Sequence, residues 1–296
     1  MSSSPVVWNR LIRFVDTNDK TYYGEPIVPF DNVTVDQLLA DGTLEAKVIT
    51  GDPLTESAVI TDQVVKVAKL LAPLAQTDIP IIKCVGLNYK TSNPEAAAKI
   101  PPYPSIFIKP SHAHGDAYID VTVPKVAHDT LDYEGELAIV IGKTGKDIPA
   151  DKVSEYIAGY TVADDVSNRQ WQTDPKFAGI APQWCFCKGF DNFSPLGPAI
   201  VSNKLLGDRP ALNLITKVNG EVRQDANTSD LVFGVPEIVS FISQGTTIEK
   251  GTVILTGTPA GVAMGMKEPK WLKDGDVVDI TIAQIGRICN KFVFAS

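Results

Sequence analysis

The chain of 296 residues is 44% hydrophobic and 21% charged, enough apolar material for one large domain or two smaller ones. Its 35 acidic and 27 basic side chains give a formal charge of −8, which speaks against a protein-wide attraction to nucleic acid or anionic membrane. No apolar run approaches the roughly 20 residues of a membrane helix, so neither nucleic acid nor membrane is expected as a partner.

The N-terminus, MSSSPVVWNRLIRF, carries no apolar stretch of signal-peptide length and is expected to lead straight into a strand. Residues 6–29 predict two short strands around the polar turn DTNDKT. TVDQLLADG predicts a short helix capped by Thr34, with Gly42 past its end. From Thr61, TDQVVKVAKLLAPL repeats apolar residues at helical spacing and predicts a second helix that stops at Pro73. PIIKCVGLNY then reads as a buried strand over 80–89. A boundary near 76–80 is expected, separating a small N-terminal α+β unit (1–78) from a catalytic body (79–296).

The body is dominated by strand signals: SIFIKP, AYIDVTVP, GELAIVIG, AGYTVADDVS, LNLITKVNGE, GTVILTGTP and DVVDITIAQIG are β-branched or alternating runs punctuated by Gly, Pro and Asp. Helices are expected only around 151–158, 203–207 and 236–245. The predicted class is a β-rich, mixed α+β fold, a curled sheet structure with peripheral helices. Cys84, Cys185, Cys187 and Cys289 stand in apolar contexts, which suits reduced thiols in a cytosol-like compartment. Cytoplasm is the expected location, with the mitochondrion left open. Cys185 and Cys187 form C-x-C, not the C-x-x-C of redox or zinc sites, and read as packing residues. P-loop, G-x-G-x-x-G and G-x-S-x-G patterns are absent, which removes the commonest nucleotide-binding and serine-hydrolase readings.

Chemistry concentrates in LDYEGELAIVIGK, residues 131–143. In a strand Glu134 and Glu136 project to the same side, with Gly135 leaving the opposite face empty. Two adjacent carboxylates repel, and burial raises that cost unless a cation neutralises them. Further on, GYTVADDVSNRQWQ places Asp164 and Asp165 at the end of another apolar strand. Oxygen ligands without a nearby His or Cys suit a hard cation, Mg²⁺ first and Mn²⁺ or Ca²⁺ behind it. Taken alone, E-x-E is also the spacing of a solvated strand face.

Nine ordered blocks change that balance: KLLAPL, CVGLNYK, PSIFIKPS, LDYEGELAIVIGK, YIAGYTVADDVSNRQWQ, KGFDNFSPLGPAIV, VNGEVRQ, ILTGTPAGV and LKDGDVV. Together they resemble the fumarylacetoacetate hydrolase family over some three quarters of the chain. The resemblance implies a compact β-roll of mixed strands in the catalytic body, usually dimeric. It makes Glu134, Glu136 and Asp165 the metal ligands and Lys188, in CKGFD, the site lysine. Arg169 and Gln172 would meet the carboxylate and keto oxygens of the substrate, and the loop Thr256, Gly257, Thr258 and Pro259 would hold it. A dicarbonyl acid could chelate the cation, which would stabilise an enolate as a C–C or C–H bond breaks. Lys188 and Arg169 would add positive charge where negative charge develops.

The chain departs from the family pattern in GLNYKTSNPEAAAKIPPYP. Where the family commonly has His-x-x-Glu, Glu95 holds the glutamate position and Ser92 the histidine position. A serine hydroxyl is no general base near neutral pH without a base beside it. Pro94 at a helix start still allows a short lid helix capped by Ser92 or Asn93. Lys188, Glu95 and Ser92 are therefore the candidate catalytic groups. Asp164 stands where Asn is usual, adding a charge expected to tighten cation binding. His112 and His114 in KPSHAHGD, and His128, read as loop residues, with His112 or His114 as substitutes for the missing base in the alternative.

The expected function is a divalent-metal-dependent enzyme acting on a β-keto or acylpyruvate-type acid by hydrolysis or decarboxylation, oxaloacetate being one example. Hydrolysis needs the activated water that Ser92 leaves unsupported, whereas decarboxylation needs mainly an electron sink. Keto–enol tautomerisation needs the sink plus a proton shuttle, for which Glu95 or Lys188 could serve. A tailoring enzyme on a larger diketo substrate and a catalytically silent binding protein complete the alternatives.

Overall fold

A computed structural model describes residues 4–30, 33–90 and 101–296 of the chain. Arg10–Val15 (β1) and Thr21–Pro26 (β2) pair antiparallel about the DTNDKT turn, as the sequence predicts. The expected short helix forms over Val35–Ala40 (α1), and the Gln37 side chain accepts the N–H of Thr34 at 3.0 Å. Glu45–Thr50 (β3), Val59–Lys66 (β4) and Lys69–Leu70 (β5) follow.

The second predicted helix does not form. Residues from Thr61 instead lie in β4, paired with β3, and β5, paired with β1. Val65, Val67 and Leu70 pack inward while Val64 and Lys66 face out. Two short strands joined end to end thus imitated helical spacing, and the β-branched Val59, Ile60, Thr61, Val64, Val65 and Val67 favour the pleated state.

The rest of the chain supplies Ile82–Gly86 (β6), Ser105–Lys109 (β7), His114–Asp116 (β8), Val121–Val123 (β9), Leu131–Asp132 (β10), Gly135–Ile141 (β11), Ile157–Asp164 (β12) and Ser167–Asn168 (β13). Three short helices come next, Arg169–Thr173 (α2), Pro175–Ala178 (α3) and Trp184–Lys188 (α4). Then follow Ser194–Ser202 (β14), Asn203–Leu206 (α5), Asn213–Val218 (β15), Glu221–Asn227 (β16), Val235–Ile242 (α6), Val253–Leu255 (β17), Val277–Ile282 (β18) and Gly286–Phe294 (β19). The expected helices near 203–207 and 236–245 are α5 and α6, and the one near 151–158 is a 3₁₀ segment, Ala150–Glu155. Helices α2–α4 were not expected. The side chains of Asn168 and Asp174 cap α2 and α3, and Pro175 opens α3, but helices of four or five residues carry no apolar stripe to read.

The large sheet runs β4-β3-β2-β1-β14-β12-β11-β17-β6-β7, with β5 and β8 attached to β1 and β14. A second sheet runs β16-β15-β18-β19-β9. Strands β11 and β12 are buried along their whole length, which explains their nearly unbroken apolar runs. Leu137, Ile139, Tyr160 and Val162 from these strands share a core with Leu214, Val278, Ile280 and Ile282 of the second sheet. Each such aliphatic side chain contributes about 1.5–3 kcal/mol on burial. Arg10 pairs with Val201, so the N-terminal strands are hydrogen-bonded to β14 of the body. The strand-rich, mixed α+β organisation is the one expected. No described helix is long and apolar enough to cross a membrane.

Candidate metal centre

Antiparallel pairing of β11 with β12 sets Gly135 opposite Asp164, so two acidic pairs distant in sequence meet at one end of the sheet. Glu134, Glu136 and Asp165 each offer a carboxylate oxygen, and these atoms lie within 4.8 Å of one another. All three residues are buried. Gly135 makes the approach feasible: a Cβ there would lie 2.3 Å from Thr216 Oγ1 of β15.

Three buried cations converge on these acids. Lys188, the last residue of α4, donates from Nζ to Glu134 Oε2 at 2.9 Å, Asp165 Oδ2 at 2.7 Å and Ser167 Oγ at 2.6 Å. Lys109, closing β7, donates to Asp165 Oδ1 at 2.7 Å and to the Phe193 carbonyl. Arg169, opening α2, donates from Nε to Asp132 Oδ2 at 2.9 Å, from one terminal nitrogen to Gln172 Oε1 at 2.8 Å, and from the other to Glu134. Asp132 also accepts the backbone N–H groups of Ala263 and Met264, at 2.8 and 3.0 Å.

The electrostatics divide the acids sharply. Burial works against ionisation of Asp165, but Lys109 and Lys188 outweigh it and hold the carboxyl at about 2. Burial pushes Glu136 well above the usual carboxylate range, and Asp165 and Glu134 add to the effect. Among the described residues Glu136 has no ion-pair partner; it accepts the Gly257 N–H at 2.6 Å. Burial likewise opposes the charges of Lys188 and Arg169; Asp165 and Glu134 keep the first protonated, Glu134 and Asp132 the second.

Asp164 corrects one expectation. Rather than adding a ligand-side charge, its Oδ1 accepts the Glu134 N–H at 2.9 Å, and burial raises its carboxyl to about 7. Its Oδ2 is buried without a hydrogen-bond partner.

Five acidic side chains, Asp132, Glu134, Glu136, Asp164 and Asp165, and three cations, Lys109, Arg169 and Lys188, are thus buried together. The oxygen-only donor set and the crowding of three buried carboxyls, one of them without an ion-pair partner among the described residues, fit a hard divalent cation held by Glu134, Glu136 and Asp165.

The residues expected to contact substrate cluster around the same strand. Thr256 is fully buried and its hydroxyl donates to the Leu137 carbonyl at 2.9 Å. The Gly257 N–H goes to Glu136, and the Thr258 hydroxyl donates to the Gly135 carbonyl at 3.0 Å. Gln172 is engaged by Arg169. Ser92 and Glu95 lie outside the described residues, as does the expected lid helix.

The histidines lie elsewhere. His112 is exposed, and His128 stacks on Phe294 with its Nε2 3.2 Å from the Val123 carbonyl. His114 is buried, with Asp116, Arg13 and Asp78 as its charged neighbours. Cys187 is buried and its thiol donates to the Trp184 carbonyl, the packing role expected of it.

Sequence reasoning missed Lys109, Asp132 and Gln224. For Lys109 a signal existed: it shares a strand face with Phe107, and a lysine on the apolar face of a strand needs an acidic partner. Asp132 and Gln224 act on backbone groups far away in sequence, which no local pattern shows.

Known proteins resemble this chain over most of its length. A family model described as fumarylacetoacetate (FAA) hydrolase C-terminal matches residues 81–293. The mitochondrial oxaloacetate tautomerase Fahd2a of Rattus norvegicus is 42% identical over 223 residues, covering 75% of this chain and 69% of that protein. A caffeoylpyruvate hydrolase of Neonothopanus nambi is 37% identical over 305 residues, covering 98% of this chain and 96% of that protein. Among solved structures, a 2-hydroxyhepta-2,4-diene-1,7-dioate isomerase from Mycobacterium marinum superposes with a TM-score of 0.78 at 35% identity, over 97% of this chain and 99% of that one.

Proposed function

The chain belongs to the fumarylacetoacetate hydrolase family, and on that premise we propose that it is a divalent-metal-dependent enzyme acting on a small β-keto or acylpyruvate-type acid through an enolate. Keto–enol tautomerisation of an oxaloacetate-type acid is the reaction we favour. The observation that carries the reading is the convergence of Glu134, Glu136 and Asp165 within 4.8 Å beside buried Lys188 and Arg169.

A divalent cation held by the three acids, Mg²⁺ first by donor type and Mn²⁺ or Ca²⁺ next, supplies Lewis acidity toward the keto group. The protein's own groups do the rest. Lys188, kept protonated by Asp165 and Glu134, acts as a fixed positive charge for the developing enolate rather than as a base. Arg169, oriented by Asp132 and Gln172 and bonded through its other terminal nitrogen to Glu134, offers a planar guanidinium whose geometry suits the carboxylate of the acid once Glu134 turns to the cation. In tautomerisation the enol oxygen gives up a proton while C3 gains one, and no water is consumed. Ser92 in the position of the family's histidine suits that economy, and Glu95 is our candidate shuttle.

A second reading, hydrolysis of the acylpyruvate C–C bond, is favoured by the similarity to the caffeoylpyruvate hydrolase along nearly the whole chain. Enol-to-keto conversion of oxaloacetate and cleavage of acylpyruvates, each assayed with Mg²⁺ or Mn²⁺ before and after EDTA, test both. We expect chelator-sensitive tautomerisation to exceed hydrolysis. Faster acylpyruvate cleavage selects the second reading, and no turnover of any such acid with either metal sinks both.

A further inference from the structure

VNGEVRQ, one of the nine blocks that carry the family resemblance, supplies none of the acids or cations of the site. Its last residue, Gln224 on β16, is 1% exposed and belongs to the second sheet, yet its side chain reaches the acidic strand of the first. Gln224 Oε1 accepts the Gly135 N–H at 3.0 Å. Gln224 Nε2 donates to Thr258 Oγ1 at 2.7 Å and to the Pro259 carbonyl at 2.9 Å. Thr258 Oγ1 in turn donates to the Gly135 carbonyl at 3.0 Å. The amide orientation follows from its partners, because an N–H and a carbonyl can each be met only one way round.

These bonds close a ring, Gly135 N–H to Gln224 to Thr258 to Gly135 C=O. The peptide groups on both sides of the residue between Glu134 and Glu136 are held by two side chains. The same ring fixes the loop whose Gly257 N–H meets Glu136. A Cβ on Gly261 would lie 1.9 Å from the Arg223 carbonyl, so this loop also lies directly on the β16 backbone.

We infer that Gln224 is a positioning residue of the metal centre, setting the angle between the Glu134 and Glu136 side chains and the seat of the Thr256–Pro259 loop. The inference rests on the reading under Proposed function that the acids hold a divalent cation. Its effect is carried through Gly135 and Thr258, as with outer partners that orient ligands, whose loss typically costs 10–100-fold in metal affinity or activity.

The test is Mn²⁺ binding to the purified full-length protein, by calorimetry and by the Mn²⁺ electron paramagnetic resonance line shape, neither of which needs turnover. Gln224→Met keeps the volume and removes every hydrogen bond. It is expected to weaken Mn²⁺ binding about tenfold or more and to change the line shape. Thr258→Val opens the ring from the loop side and is expected to do the same, which covers the case in which Gln224→Met fails to fold. Asn290→Leu is the control: Asn290 is a buried amide bonded to the Asp116 and Ile119 carbonyls, and its loss should leave Mn²⁺ binding at the wild-type value. Wild-type affinity and line shape in Gln224→Met, or an equal loss in Asn290→Leu, overturn the assignment alone. A wild-type protein that binds no Mn²⁺ overturns the functional reading and this assignment with it.

Discussion

Arg169 Nε lies 2.9 Å from Asp132 Oδ2, and both side chains are buried. Asp132 is at once the anchor of the guanidinium and the acceptor for the Ala263 and Met264 amides. Removing it leaves a buried cation short of a partner and three backbone donors unmet, those of Tyr133, Ala263 and Met264. Asp132→Ala is expected to cost about 3–5 kcal/mol, read by urea unfolding, with Asp132→Asn in between because it keeps an acceptor oxygen. A cost near zero for Asp132→Ala would show that the pair is not part of the folded site.

Glu136 is the acid that the pocket tolerates least, since burial, Asp165 and Glu134 all disfavour its charge. Glu136→Gln should therefore leave the metal-free protein at least as stable as the parent while removing a ligand. With Mn²⁺ at about 100 times its dissociation constant, the parent gains about 2.7 kcal/mol and Glu136→Gln gains nothing. Thermal melts with and without Mn²⁺ measure both halves, and an equal Mn²⁺-induced rise in the variant contradicts the ligand assignment.

Lys109 is one of two lysines on Asp165 and has no exposure to solvent. Lys109→Met fills the space but leaves Asp165 with Lys188 alone. The expected loss is about 3–5 kcal/mol by denaturant unfolding, the range for breaking a buried pair from one side. Full stability in this variant would mean that Lys188 compensates Asp165 unaided.

His114 gives the protein an acid-sensitive limb away from the metal centre. Burial holds its pKa below the ordinary 6.5, against the pull of Asp116, and its Nε2 has no partner. The unfolded chain therefore takes up a proton below about 6.5 more readily than the folded one, so stability falls as pH drops through that value toward the lowered folded pKa. His114→Gln should flatten this limb. Melting curves from pH 7.5 to 5 for both proteins decide, and parallel curves refute the attribution.

How much of this could be read in the sequence depended on distance along the chain. Glu134 and Glu136 are two residues apart, so strand periodicity alone put them on one face, and Asp165 ended a legible apolar run. Lys188 and Arg169 needed the family resemblance, because they sit on helices too short to announce themselves. Asp132 and Gln224 stayed hidden because what defines them is a distant partner, 89 residues away for Gln224, while the strand around Lys109 signals a buried lysine but not its partner 56 residues on. The run after Thr61 failed for another reason: β4 and β5 are separate strands whose apolar residues happen to add up to a helical rhythm.

The ring that joins Gly135 to Gln224 and Thr258 spans 123 positions of chain. On a ribosome the acidic strand emerges long before the residues that brace it. The brace on the acidic strand therefore closes only after both sheets have come together, late in the maturation of the chain.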